Sequence, residues 1–174
     1  MSKQPFTTWK NWSLAKILRY CPGLVRRWAR SHTFASSEEA PWTPLRKPLV
    51  DCRVALVSTA GVHLRTQSPF DMRNPLGDPS FRVIPAAVSP EELTITHDYY
   101  DHRDADQDIN IVFPWQRLQE FRQQGAIGAI SPIHLGFMGH VDGEFVLTLQ
   151  QQTAPKAAQR LAQHQVDVAL LFPA

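Results

Sequence analysis

Arg53-Val54-Ala55-Leu56-Val57-Ser58-Thr59-Ala60-Gly61-Val62-His63 decides how this chain folds. Its opening is a nearly continuous apolar run of strand length. Such a run predicts a strand covered on both faces, as in parallel sheets. The run breaks at Thr59-Ala60-Gly61, where small residues let a backbone approach a ligand closely. His63 follows, in the place where open α/β sheets gather binding residues, just past the carboxyl end of a strand.

Outward from this strand the pattern alternates. Residues 81–84 and 93–96 predict short strands, 109–113 a stronger one, 126–130 a short apolar segment and 145–149 another strand. Pro114 suits the first residue of a helix over 115–124, closed by Gly125. A second helix is expected over 157–165, starting near 153–155 with Thr153 as N-cap. Residues 166–172 read as a buried strand. Residues 65–80 form a long loop punctuated by Pro69, Asn74-Pro75, Gly77 and Asp78-Pro79. The expected fold is α/β: a layered, mostly parallel, flavodoxin- or Rossmann-like sheet, incomplete, with an N-terminal helical arm.

Charge divides the chain. Residues 1–50 hold nine Lys/Arg against two Glu, and residues 51–174 hold nine Lys/Arg against fourteen acids. We expect a basic arm and linker followed by a mildly acidic α/β domain with that boundary. The arm reads as two helical pieces broken at Pro22-Gly23. The first carries a stripe of Phe6, Trp9, Leu14, Ile17, Leu18 and Tyr20; the second carries Arg26, Arg27 and Arg30. A basic amphipathic helix can lie on a membrane or an acidic partner. The reading preferred from sequence packs the stripe on the chain's own domain or a subunit, with neither nucleic acid nor membrane as partner. No apolar run reaches the roughly 20 residues that span a bilayer, and charges interrupt the N-terminal stretch where a signal peptide would be apolar. A cytoplasmic location is expected. Cys21 and Cys52 stand far apart with no CxxC pair, which argues against a disulfide framework.

Two clusters could carry chemistry. Residues 97–108 place two imidazoles and five carboxylates within twelve residues, enough to hold a divalent metal or supply an acid/base pair. Their spacing matches no metal motif, so the preferred reading is a loop with structural or substrate-positioning roles. In residues 131–140, glycines flanking Phe137-Met138 let the backbone curl around a small ligand, and His134 or His140 could act at neutral pH. The catalytic candidates are His63, His97 and His140. The substrate-binding candidates are Gly61, Asp98, Asp101, His102 and Gly139. No metal set is assigned, although a metal-dependent hydrolase built on residues 97–108 stands as a weaker alternative. The sequence has no GxGxxG, P-loop or GxSxG, so nucleotide and serine-hydrolase readings lack support.

Several separated segments, taken in order, resemble one family. They are residues 54–63, Pro69-Phe70-Asp71, Gly77-Asp78-Pro79-Ser80, His97-Asp98-Tyr99-Tyr100-Asp101-His102, residues 106–114 and Phe137-Met138-Gly139-His140. Together they resemble the selenoprotein B family of glycine, betaine, sarcosine and D-proline reductases, from about Arg53 onward. The resemblance implies an oxidoreductase that reductively cleaves a carbon–nitrogen bond of an amino acid or amine. It also implies a dithiol/disulfide couple as electron carrier, a thioredoxin-like donor, and a pyruvoyl group on a partner subunit that holds the substrate amine. No cofactor is expected in this chain.

The resemblance further implies a selenocysteine or cysteine nucleophile with a nearby Cys. A chalcogenide of depressed pKa attacks well at neutral pH, and a neighbouring thiol resolves the product. That residue is expected next to Ala174, after the strand at 166–172, and Cys52 does not match its motif. We therefore expect a reading frame ended at an in-frame UGA that encodes selenocysteine. The chain would then be inactive alone and depend on a partner reductase subunit or its own downstream segment. The competing expectation is a non-catalytic binding or subunit-pairing protein that uses its last apolar strand as an edge.

Overall fold

The computed structural model describes residues 43–173 together with Gly23, Arg26, Arg27 and Arg30. The rest of the expected arm, with Cys21, lies outside the described residues. The chain divides into two compact units, Met1–Pro44 with Asp98–Asp101, and Leu45–His97 with His102–Ala174. In the first unit Gly23, Arg26, Arg27 and Arg30 are helical and exposed, and residues 98–101 are irregular.

Among the described residues the second unit holds seven strands: β1 (Arg53–Ser58), β2 (Val62–Leu64), β3 (Phe81–Pro85), β4 (Leu93–Ile95), β5 (Ala129–Ile130), β6 (Ile133–Phe137) and β7 (Val168–Phe172). Its helices are α1 (Arg103–Gln107), α2 (Trp115–Gln123), α3 (Glu144–Thr148) and α4 (Ala154–Gln163). The unit is α/β, with a mixed sheet and few helices. β1 is its centre. β7 runs parallel along one edge, from Val54↔Val168 to Ser58↔Phe172. Since Val54 also pairs with Ile130, and Ser58 with Gly136, β5 and β6 share the other edge, both parallel. β3 lies antiparallel outside β6, from Phe81↔Phe137 to Pro85↔Ile133. β2 and β4 form a separate antiparallel ribbon.

The unbroken apolar run of β1 has the predicted consequence: Val54, Ala55 and Leu56 are all buried. Val54 and Leu56 each contribute about 1.5–3 kcal/mol when fully removed from water. Ser131-Pro132 interrupts the strand that pairs with β1. Ser131 N–H still donates to Val54 O (2.8 Å). The next β1 amide on that edge, Leu56 N–H, donates instead to His134 Nδ1 (3.0 Å). An imidazole thus fills the gap in the ladder. Ile84 and His134 are paired and share a sheet face, on which Phe113 packs with its ring 5.7 Å from that of His134.

Helix α2 forms where expected, directly after Pro114. Gly125 and Ala126 close it by donating to Arg122 O (3.2 Å) and Phe121 O (2.9 Å), the paired bonds of a Schellman cap.

Four expectations are corrected. Residues 109–113 are not a strand but a 3-10 turn, Ile109–Ile111. Asp108 Oδ1 accepts from Asn110 N–H (3.0 Å) and holds the turn, while the apolar run buries Val112 and Phe113. Residues 145–149 are helical: Asp142 and Gly143 carbonyls accept from Phe145 and Val146 N–H, nucleating α3. α3 then passes through one π-helical stretch, Leu149–Thr153, into α4, so Thr153 lies inside a helix and caps nothing. Last, β7 is not buried. It is an edge strand, paired only with β1 among the described residues, and Leu170 and Leu171 are 38% and 69% exposed.

Candidate functional site

The site grows from the way β1 ends. Thr59 N–H donates to Phe172 O (3.0 Å) and Gly61 N–H to Phe137 O (2.8 Å), so the departing chain is tied first to β7, then to β6. Gly61 takes φ +75°, and a Cβ there would collide with the Thr96 carbonyl oxygen. Only glycine meets both demands comfortably. Thr96 N–H donates back to Gly61 O (2.9 Å). This exchange seats His97 beside Gly61, with the His97 Cβ 3.1 Å from where a Gly61 Cβ would stand. Gly139, at φ +88°, lies equally close against the Thr59 carbonyl. Gly61, His97, Gly139 and His140 therefore gather at the carboxyl ends of β1 and β6.

His97 is buried, 7% exposed. Burial lowers its pKa to about 4, helped by the positive charge that His140 and His102 would carry. It is neutral at pH 7, and the same couplings place His140 and His102 each within electrostatic reach of His97. His140 is half-buried, and its Nε2–H donates to Pro75 O (3.0 Å). This bond pins it with the loop of residues 65–80. His102 precedes α1, its Nδ1 2.8 Å from Asp106 Oδ2 one turn on. The expectation of a loop through residues 97–108 is corrected here, because α1 makes that i, i+4 pair possible.

His63 is placed elsewhere. Its Nδ1–H donates to Leu64 O (2.8 Å), and its Nε2 accepts from the Thr96 hydroxyl (2.8 Å). The ring is 3% exposed and meets Phe70 edge-on. Burial lowers its pKa against the opposing effect of Leu64 O, and nearby Arg82 lowers it further. His63 pins the β2–β4 ribbon rather than facing the site. Asp98 and Asp101 belong to the 98–101 segment of the first unit.

Two residues not selected from sequence matter for the site's frame. His134 was only one member of a cluster, yet it completes the β1 ladder. Burial lowers its pKa to about 4, and its Nε2 has no hydrogen-bond partner. Arg82 organises the long loop. Its guanidinium donates to Ser68 O (2.9 Å), Pro69 O (3.1 Å) and Ser80 Oγ (2.8 Å), and lies 4.4 Å from the Phe70 ring centre. Asp78, 3.7 Å from it, would have its pKa raised by burial. The Ser80 hydroxyl, the Asp71 and Ser80 amides and Arg82 outweigh that, so the carboxyl stays below its ordinary range. An arginine two residues past a Pro-rich loop was the available sequence signal.

Cys52 is fully buried before the amino end of β1, its Sγ directed at Pro48 O (3.4 Å). It is therefore remote from the histidines at the carboxyl ends. The gathered groups can hold or move protons and hydrogen-bond a small polar ligand. Among the described residues they include no thiol, and no three His, Cys, Asp or Glu stand together as a metal set. Among the described residues, one cleft of about 510 Å³ lies beside Lys47, Arg53 and Asp167, and another of about 460 Å³ beside Arg65, Ile95 and Asp106.

No family model matches the chain, and no solved structure does. Among curated proteins it is similar to D-proline reductase subunit gamma of Acetoanaerobium sticklandii, 39% identical over 130 residues. The alignment covers 75% of this chain and 52% of that protein, so the chain spans about half the relative's length. This likeness supports a relationship to the proline/glycine reductase family. No helix among the described residues is long and apolar enough to cross a membrane.

Proposed function

We propose that this chain supplies the histidine-bearing part of a reductase that opens a carbon–nitrogen bond of glycine, betaine, sarcosine or D-proline. One observation carries the reading. Residues 54–63, His97 and residues 137–140, which carry the sequence resemblance, converge at the carboxyl ends of β1 and β6 through the Gly61–Phe137 and Gly61–Thr96 hydrogen bonds. The likeness to a D-proline reductase subunit supports it as well.

In the proposed reaction the carbon–nitrogen bond breaks, a dithiol becomes a disulfide, and the dithiol's two hydrogens pass to carbon and nitrogen. Neutral His97 orients the substrate by a hydrogen bond, while His140 and His102 are the groups able to carry a proton toward the leaving nitrogen. The Gly61 and Gly139 backbones leave room for a small substrate. Cys52 is buried and misplaced, and the resemblance implies a selenium or sulfur nucleophile supplied by a partner subunit or a downstream segment. A partner subunit's pyruvoyl group would hold the substrate amine, and a thioredoxin-like protein would return electrons. The isolated chain is then inactive. Incubating it with D-proline and dithiothreitol tests this: no ring-opened amino acid is expected, and turnover would refute the assignment.

A second reading is favoured by the exposed β7 edge: a non-catalytic protein that pairs with another chain. The activity of the complex purified on the chain separates the two. A stable complex in which His97→Asn leaves every activity intact supports mere pairing.

A further inference from the structure

Residues 1–37 contain seven Lys/Arg and no Asp or Glu; the first acid is Glu38. Three of those bases, Arg26, Arg27 and Arg30, are helical and exposed. With Gly23 they follow i, i+3, i+4, i+7 spacing, which places them on one helix face. Leu24, Val25 and Trp28 alternate with them in sequence, and Trp9, Trp12 and Tyr20 precede them. Within the arm's unit, residues 1–44 with 98–101, seven Lys/Arg exceed four acids (Glu38, Glu39, Asp98 and Asp101), and this surplus of positive charge calls for an anionic partner. An acidic protein or a nucleic acid would satisfy the charges alone. Aliphatic and tryptophan residues interspersed in sequence favour a partner that is anionic at its surface and apolar just beneath.

We propose that the Arg26–Arg27–Arg30 face docks this chain on an anionic lipid surface. This departs from the sequence expectation that no membrane takes part. The chain would lie on the bilayer, its arginines among the headgroups. The proposal is independent of the reductase reading, since neither the lipid nor these arginines enter that chemistry.

Co-sedimentation of the full chain with phosphatidylcholine vesicles, with and without about 30% phosphatidylglycerol, tests it. We expect binding to the anionic vesicles to be on the order of tenfold or more tighter. It should weaken as salt rises from about 0.1 M to 1 M, which shortens screening from about 10 Å to 3 Å. The triple change Arg26→Glu, Arg27→Glu, Arg30→Glu should abolish it, and the triple change to Lys should keep it, with circular dichroism unchanged in both. Equal binding to neutral vesicles overturns the proposal, as does wild-type binding by the charge-reversed variant. Capture by RNA or polyglutamate without capture by anionic vesicles also overturns it.

Discussion

At Gln165 the backbone takes φ +55°, the only non-glycine residue in the left-handed region among those described. It closes α4: Gln165 and Val166 N–H donate to Ala162 O (2.9 Å) and Leu161 O (3.1 Å), as a Schellman cap requires. Glycine suits that position better, while the side chain offers only an exposed 3.2 Å contact to Arg53. Gln165→Gly should therefore raise stability by about 0.5 kcal/mol, read as a shift in urea midpoint at unchanged slope. His134 has the opposite character. Truncation to Ala strands the buried Leu56 N–H and opens a cavity, and should cost about 2–4 kcal/mol in the same titration. The imidazole's position was legible in the sequence, but its task was not. That task depends on Ser131-Pro132 breaking the ladder opposite Leu56, which stands 78 residues from His134 in sequence.

Among the elements, the loop of residues 65–80 depends on β3 for its order. Arg82 holds it through a planar fork over Phe70, geometry that a lysine cannot reproduce. Both Arg82→Ala and Arg82→Lys should speed limited proteolysis within residues 65–80 several-fold while leaving β1 and β7 protected from hydrogen exchange. Protection equal to wild type in Arg82→Lys would contradict the fork. The elements also show what periodicity can convey. Strand β1, helix α2 and its Gly125 cap were legible because each carries its own local signature. Residues 109–113 and 145–149 were misread because a short apolar run does not by itself fix a conformation. At 109–113 the Asp108 turn decided the outcome, and at 145–149 the Asp142-Gly143 start did. Of the β2–β4 ribbon, β4 was legible at residues 93–96, whereas β2 was not, because its three positions are too few to show alternation.

Across the whole molecule, buried neutral histidines set the acid limit. His97 and His134 have folded pKa values lowered from 6.5 to about 4, and His63 is lowered as well. Between pH 6.5 and 4 the unfolded chain therefore binds more protons. Stability should be full above pH 6.5 and fall as pH drops toward 4, by up to about 1.4 kcal/mol per pH unit for each such group. Urea midpoints across that range check this, and a flat profile would contradict it. The candidate site was half legible. His97, His140, Gly61 and Gly139 meet as selected, whereas His63 turned inward because Thr96 and Leu64 claim both its nitrogens. No local pattern in the sequence shows which way a ring faces. The proposed role of that meeting place is tested most directly by D-proline ring opening with dithiothreitol, comparing the isolated chain with the complex purified on it. The account predicts product only from the complex, and at least about tenfold less with His97→Asn. Product from the chain alone, or an unchanged rate in the variant complex, would contradict it.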